Sequence, residues 1–312
     1  MNILVSWSTA YDHIMDFNDH FKNHIQADKV HELSVSFLID NLRKEIWGTG
    51  LNIAYNLAIL WEKPILLTSV WKDFVFNEQA LENINLEYIN KSKELFTASW
   101  YITNDAGENQ ITAFYPGAMN EADKSLLKEI KEELKYAIIS PNKKEAMLKH
   151  LWQMKDKWVE TFFDPGQALF VFNKDDLEKA SSLANYLIVN DYEYWKFKET
   201  IQWNDEKILE SFDKIIITYW HKWSKILSKD NKTIEITPVT NNNPIDPTWA
   251  WDSYRAWLLR WLQIGYNWEK SWKIWSLISS ISVWYYWWQN HSIDKKDFEE
   301  LFKKEFWEGI NL

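Results

Sequence analysis

The chain has 312 residues, a net charge of −10 and no cysteine. That length is enough to bury the core of one large α/β domain. The missing cysteines exclude disulfides, thiol catalysis and cysteine-ligated metal, as a reducing cytosol would allow. The acidic balance argues against a general nucleic-acid binder, which needs a basic surface to displace counterions.

Taken in chain order, the strand signals are short apolar runs at Ile3–Val5, Ile65–Thr68, Ala137–Ser140, Glu160–Phe163, Tyr186–Val189 and Lys214–Thr218. Helical periodicity falls between them, over Asn52–Leu60, Glu121–Leu134, Asn142–Trp158 and Asp175–Asn185, and again after Asp252 through Ser253-Tyr254-Arg255-Ala256-Trp257-Leu258-Leu259. Strands alternating with helices predict βαβ units, a largely parallel sheet and a ligand site at the carboxyl ends of its strands. Two stretches break the alternation. Residues 13–46 are polar, then alternate through Leu33-Ser34-Val35-Ser36-Phe37, and residues 95–115 alternate again from Phe96 through Tyr115. Both read as antiparallel strands of a small flap over the sheet edge, placed to exclude water from a reaction. The apolar run Ile274–Trp288 is broken by serines and shorter than the roughly 20 residues of a membrane span. Asn2-Ile3-Leu4-Val5 enters a strand with no signal-peptide core, so a cytoplasmic protein without membrane contact is expected.

The composition carries one anomaly: 22 Trp against 7 Gly, where ordinary chains hold about 7% glycine. The tryptophans stand where glycine is favoured. Trp47 precedes Gly48-Thr49-Gly50, Trp61 follows a helix, Trp71 lies in a turn, and Trp220 and Trp223 follow the strand Ile215-Ile216-Ile217. A gene in which UGA encodes glycine, read as if UGA encoded tryptophan, produces this pattern. The competing reading is a Trp-rich protein that stacks sugars on aromatic platforms.

Asp246-Pro247-Thr248-Trp249-Ala250-Trp251-Asp252 becomes D-P-T-G-A-G-D when 249 and 251 are glycine. A loop offering consecutive N–H groups at a helix N-terminus is an anion site. A carboxylate in that first turn, Asp252, is placed to take a proton from an attacking hydroxyl, as phosphoryl transfer to an alcohol requires.

With glycines restored, three ordered segments resemble the ribokinase (PfkB) family of sugar and nucleoside kinases. Trp47-Gly48-Thr49-Gly50-Leu51-Asn52 is similar to its G-G-x-x-x-N motif, Thr218-Tyr219-Trp220-His221-Lys222-Trp223 to T-x-G-x-x-G, and Asp246–Asp252 to its D-T/P-T-G-A-G-D signature. Ser34–Asp40, Phe114–Met119, Asn190-Asp191-Tyr192-Glu193 and Asp252–Ala256 are most similar to bacterial adenosine kinases. The resemblance implies one three-layer α/β, Rossmann-like domain over 1–312, with a mostly parallel sheet and a β lid from about 13–46 and 95–118. It also implies ATP-dependent phosphorylation of the adenosine 5′-hydroxyl, Mg²⁺, and a homodimer through the lids. A kinase for another nucleoside or a sugar such as ribose or fructose, and a non-catalytic Trp-rich binding protein on the same scaffold, are the alternatives.

Carried over by position, Asp252 matches the base and the amides of Trp249, Ala250 and Trp251 the anion hole. Asp12 matches the acceptor of the ribose hydroxyls, and Gly48 and Asn52 the sugar-binding turn. Ser8, Ser36, Phe114 and Gln167 are further candidates for nucleoside contacts. Asn190, Thr218, Trp220, Trp223 and Thr248 fall on the nucleotide side, with Glu193 as the Mg²⁺ carboxylate. His13, His20 and His24 have no metal-ligand spacing and read as solvated, and Lys124–Lys135 reads as an exposed helix face.

Overall fold

Successive side chains of the apolar runs enter two separate cores, which is why those runs form strands. Ile3, Val5, Ile138, Ile188 and Ile216 pack in one cluster; Leu4, Ala137, Ile139, Leu187, Val189, Ile215 and Ile217 pack in the other. Period-two alternation with both sides apolar is the signature of a sheet covered on both faces. The computed structural model describes residues 1–25, 34–75, 81–107, 109–125, 127–219, 223–230, 232–236, 250–282, 295–307 and 309–310.

The chain begins with β1 (Asn2–Ser6), β2 (Ala10–Asp16), β3 (Asn41–Trp47) and α1 (Thr49–Ile59). The strands β4 (Ile65–Leu67), β5 (Ser69–Val70), β6 (Asn90–Lys91), β7 (Ala98–Asn104) and β8 (Gln110–Tyr115) follow. Next come β9 (Leu134–Ile139), α2 (Lys144–Asp156), β10 (Glu160–Phe163), α3 (Lys174–Leu183), β11 (Tyr186–Asn190), α4 (Asp191–Ile201) and α5 (Asp205–Ser211). The chain continues through β12 (Lys214–Tyr219), β13 (Trp223–Ser228) and β14 (Thr233–Ile236) to α6 (Ala250–Gln263), α7 (Trp268–Ser282) and α8 (Lys295–Phe306).

The large sheet has the order β14-β13-β12-β11-β10-β9-β1-β4. The six strands from β12 to β4 are parallel, and β13 and β14 add an antiparallel hairpin at one edge. Buried residues of α1, α6, α7 and α8 pack on one face; those of α2, α3, α4 and α5 pack on the other. The expected three layers are present. Among the described residues no helix is long and apolar enough to cross a membrane.

A second, four-stranded sheet has the order β3-β2-β7-β8. It is the expected flap, built of two antiparallel hairpins, β2–β3 and β7–β8, that join through parallel pairing of β2 with β7, and one correction applies. The strand read over Leu33–Phe37 is absent from the described part, 34–39, which is irregular; the strand is β3, at 41–47. Pairing explains the shift, since β3 occupies the edge of β2 from Asn41↔Asp16 to Trp47↔Ala10 that residues 34–39 would otherwise take. A second expectation fails over Glu121–Leu134, including the charged face at Lys124–Lys135. The described residues there form 3-10 turns at Gly117–Lys124 and Leu127–Glu129, and Leu134 already pairs with Asn2 in the sheet. Ladder pairing and the Ser125 Oγ–His150 Nε2 bond (2.7 Å) outweigh weak helical propensity.

Helix ends bear on the tryptophan anomaly. Trp61 and Trp158 have φ of 63° and 60°, and Trp307 has 56°, all in the left-handed region. These are the positions following α1, α2 and α8.

Candidate functional site

The chain leaves β1 for β4 on one side and reaches β9 on the other, so β1 is the switch point of the sheet. Segments following the strand ends converge there with the first turn of α6. A cleft of about 250 Å³ is lined by Trp7, Pro141, Gly166, Gln167, Ile188, Val189, Asn190, Glu193, Thr218, Asp252, Tyr254 and Arg255.

Asp252 is buried and sits in the first turn of α6, where N–H groups have no partner inside the helix. Its Oδ2 accepts from Asn52 Nδ2 at 2.7 Å, joining α6 to α1 across 200 residues of sequence. Burial pushes the carboxyl up to about 7; Arg255 and the Asn52 bond pull down, and Asp164 pushes up again. A carboxylate poised near neutrality accepts a proton best from a group ionising alongside it.

The α1 end of that bond depends on close backbone approach. Gly48 has φ 132°, and a Cβ there would lie 2.8 Å from Ser8 O and 2.9 Å from Thr9 Cα. At Gly50 a Cβ would lie 2.4 Å from Trp7 Cβ. The turn therefore seats the start of α1, with Asn52, directly on the loop that leads from β1 into β2. Asn52 Oδ1 and Thr9 Oγ1 are buried there without hydrogen-bond partners in the described structure.

Asp12 stands on β2 at the junction of the two sheets. It is 2% exposed, and its Oδ1 has no partner. Burial, reinforced by Glu45, raises its carboxyl to about 7. An orphaned buried carboxylate oxygen is costly unless a ligand donor reaches it. In register, Glu45, Asp12, Trp100 and Phe114 form one row across the small sheet, so Phe114 shares a face with Asp12. Its ring packs on Trp100 at 4.5 Å, and strand β8 is exposed throughout.

Asn190 and Glu193 form a reciprocal capping box at the start of α4: Glu193 N donates to Asn190 Oδ1 (2.7 Å) and Asn190 N to Glu193 Oε2 (2.8 Å). The motif thus has a structural duty, and both residues still line the cleft. Burial raises the Glu193 carboxyl first of all. No group of three or more His, Asp or Glu converges on a metal site among the described residues. One cleft-facing carboxylate fits a Mg²⁺ held mostly through water and phosphate oxygens, the habit of that ion.

Thr218 closes β12 on the cleft, and Gln167 lines it beside Gly166. Ser8 is half-buried beside Pro141, with its N–H on Pro141 O at 3.4 Å. Ser36 is exposed in the irregular segment and does not line the cleft. Thr248, Trp249 and Trp220 lie outside the described residues; Ala250 and Trp251 are described as the backbone opening α6, and Trp223 as the backbone opening β13. Among the three histidines, His24 pairs with Asp19 at 2.8 Å and His13 stacks on Tyr101 at 4.8 Å.

The sequence reading passed over one pair. Arg255 Nε donates to Asp164 Oδ2 at 2.5 Å and its Nη2 to Oδ1 at 3.0 Å, with Asp164 fully buried. The available signal was an arginine inside an apolar helical pattern, which calls for a buried acid.

The comparisons agree with this architecture. The model of the pfkB family carbohydrate kinases matches residues 9–294. A nucleoside kinase of Methanocaldococcus jannaschii is 32% identical over 248 residues, covering 78% of this chain and 81% of that protein. The solved nucleoside kinase of Burkholderia thailandensis in complex with inosine has a TM-score of 0.83 at 29% identity, covering 98% of this chain and 99% of the other. The solved M. jannaschii nucleoside kinase, an archaeal member of the ribokinase family, has a TM-score of 0.83 at 28% identity, covering 97% and 98%. Fold and cleft define a phosphotransferase of the ribokinase-like class. The chain belongs to the pfkB family of carbohydrate kinases.

Proposed function

We propose that this protein is an ATP-dependent nucleoside kinase that phosphorylates the 5′-hydroxyl of adenosine to give AMP. The observation carrying the reading is the Asn52–Asp252 bond, which holds a buried carboxylate with a pKa of about 7 where the sheet's strand ends meet the first turn of α6. Asp252 accepts the hydroxyl proton as the phosphoryl group arrives. The amides of Ala250, Trp251 and Asp252, which open α6 and have no partner inside the helix, offset charge on the transferring group. The unpartnered Oδ1 of Asp12 takes the ribose hydroxyls, and Gly48 and Asn52 shape the sugar turn beside it. Asn190, Glu193 and Thr218 flank the nucleotide side, and Mg²⁺ bound near Glu193 supplies charge neutralisation for the phosphates. The relatives named as nucleoside kinases, and the one solved with inosine, support a nucleoside over a free sugar. The same Burkholderia thailandensis nucleoside kinase was also solved with ADP-inosine, which supports ATP as donor. The small sheet's outer strand β8 exposes Ile111, Phe114 and Tyr115, which supports a homodimer through the lids.

An anion hole of bare backbone amides, as the D-P-T-G-A-G-D pattern implies, calls for glycine rather than tryptophan at 249 and 251. The chain with Trp at both positions is expected to show no turnover, and W249G/W251G to gain it. An ADP-release assay with adenosine, inosine, ribose and fructose tests the reading on both proteins. Adenosine turning over fastest is the expected result; ribose or fructose turning over fastest would replace the nucleoside assignment.

A further inference from the structure

We infer that Trp61, Trp158 and Trp307 are glycine positions, occupied by glycine in the protein its source organism makes. The ground is backbone geometry, independent of any motif. Four non-glycine residues have positive φ among the described residues, and three of them are these tryptophans. Tryptophan makes up only 22 of 312 residues, so its abundance does not put it there by chance.

The chain contains its own control. After α6, Gly265 has φ 97°, Gly265 N donates to Leu262 O (3.1 Å), and Tyr266 N donates to Trp261 O (3.0 Å). The same pair of bonds closes α1, from Trp61 N to Ala58 O (3.1 Å) and Glu62 N to Leu57 O (3.1 Å). It closes α2 from Trp158 N to Lys155 O (3.1 Å) and Val159 N to Met154 O (3.0 Å). This helix stop uses a left-handed residue, for which glycine has no Cβ penalty. At one end the chain carries the glycine; at the others it carries indole.

The indoles earn no packing in return. Trp61, Trp158 and Trp307 are 63%, 92% and 92% exposed. An aromatic platform for sugars does not account for them, because α1 and α2 lie on opposite faces of the large sheet. Inside α6, Trp257 and Trp261 are buried with indole N–H groups lacking partners, unusual for a residue that nearly always satisfies that donor. UGA read as glycine by the organism, and as tryptophan in translating the gene, accounts for both classes.

The test is the gene and the native protein. UGA codons at 61, 158 and 307, with peptides from the source organism carrying glycine there, are the expected result. UGG at 61 and 158 overturns the inference. Recombinant protein supplies a second measurement: W61G/W158G is expected to melt higher than the parent, and a lower Tm counts against it.

A different observation carries a second proposal, which rests on the kinase reading. The geometry assigns Arg255 as the positioning residue for Asp252, anchoring the first turns of α6 to the carboxyl ends of the central strands through Asp164. The bidentate pair is braced by Ser140 Oγ, which donates to Asp164 Oδ2 at 2.9 Å, and by Asp164 N on Ile139 O at 2.9 Å. One carboxylate thus ties α6 to β9 and β10. The groups around Asp252 are Asn52 from α1, Arg255 one turn on, Asp164 after β10, and Glu193 from α4 across the same cleft.

In the W249G/W251G protein, opposite shifts of the acid limb of kcat/KM against pH test this. Arg255→Gln removes a cation from beside the base and is expected to move the limb upward. Asp164→Asn removes an anion and is expected to move it downward. Arg255→Lys keeps the charge and is expected to leave the limb in place while lowering kcat more than tenfold. A limb unmoved in both Arg255→Gln and Asp164→Asn overturns the proposal, and either variant serves if the other does not fold. Full turnover by Asp252→Asn would sink the kinase mechanism instead, so the two failures are distinguishable.

Discussion

Asp252 and Asp12 are both buried carboxylates raised to about 7, yet their surroundings differ. Asp252 has a donor in place, Asn52, and a neighbouring guanidinium on its own helix. Asp12 has an unpartnered oxygen and a like charge, Glu45, opposite it in the small sheet. In the proposed mechanism the same acidity serves two tasks. A carboxylate oriented by permanent partners is built to take a proton repeatedly. One left short of a donor is built to wait for a ligand that brings one.

Neutralising each in turn sharpens that contrast. In the W249G/W251G protein, Asp252→Asn is expected to lower kcat by about 10²–10⁴-fold, the usual worth of a general base, with nucleoside binding unchanged by calorimetry. Asp12→Asn should act on the other parameter. Losing a charge-assisted hydrogen bond is worth about 1.5–3 kcal/mol, so KM for the nucleoside should rise roughly 10- to 150-fold while kcat holds. Equal losses of kcat in both variants would erase the distinction.

The pH profile separates them more gently. With both groups near 7, log kcat/KM should fall with a slope approaching two as pH drops below 7, and with a slope near one in Asp12→Asn. Asn52→Leu removes a bond that lowers the Asp252 pKa, so its acid limb should lie at higher pH than the parent's. Stability gives the smallest effect. Unfolded carboxylates release their protons near 4, whereas these two hold them to about 7 in the folded chain. The folded form binds more protons in between, so stability declines as pH rises from about 4 to 7. Melting scans at pH 5 and 8 should show a drop that is smaller in Asp12→Asn.

Much of this arrangement was legible in one dimension. The run Glu160–Phe163 is β10 to the residue, because Thr161, Phe162 and Phe163 are β-favouring and a run that short between turn signals has few other uses. Asp252 was marked by its position just after a turn that makes sense only with small residues. Asn52 was found through its motif, but its bond to Asp252 spans 200 residues and no local pattern encodes it. Arg255 and Asp164 were in plain view and unread, since neither has meaning without the other. The helix expected over Glu121–Leu134 failed because pairing of Leu134 with Asn2 is a long-range contact.

Local patterning was sufficient for the strand and helix alternation, the layered class, the place of Asp252 and the tryptophans at helix ends, because periodicity, turn chemistry and glycine demand act over a few residues. Folding in three dimensions was needed to make Asp12 an orphaned acceptor, to bond Asn52 to Asp252 and to lock Arg255 onto Asp164. Burial and partner choice depend on segments distant in sequence that meet only at the strand ends, and those contacts set the pKa values on which the chemistry runs.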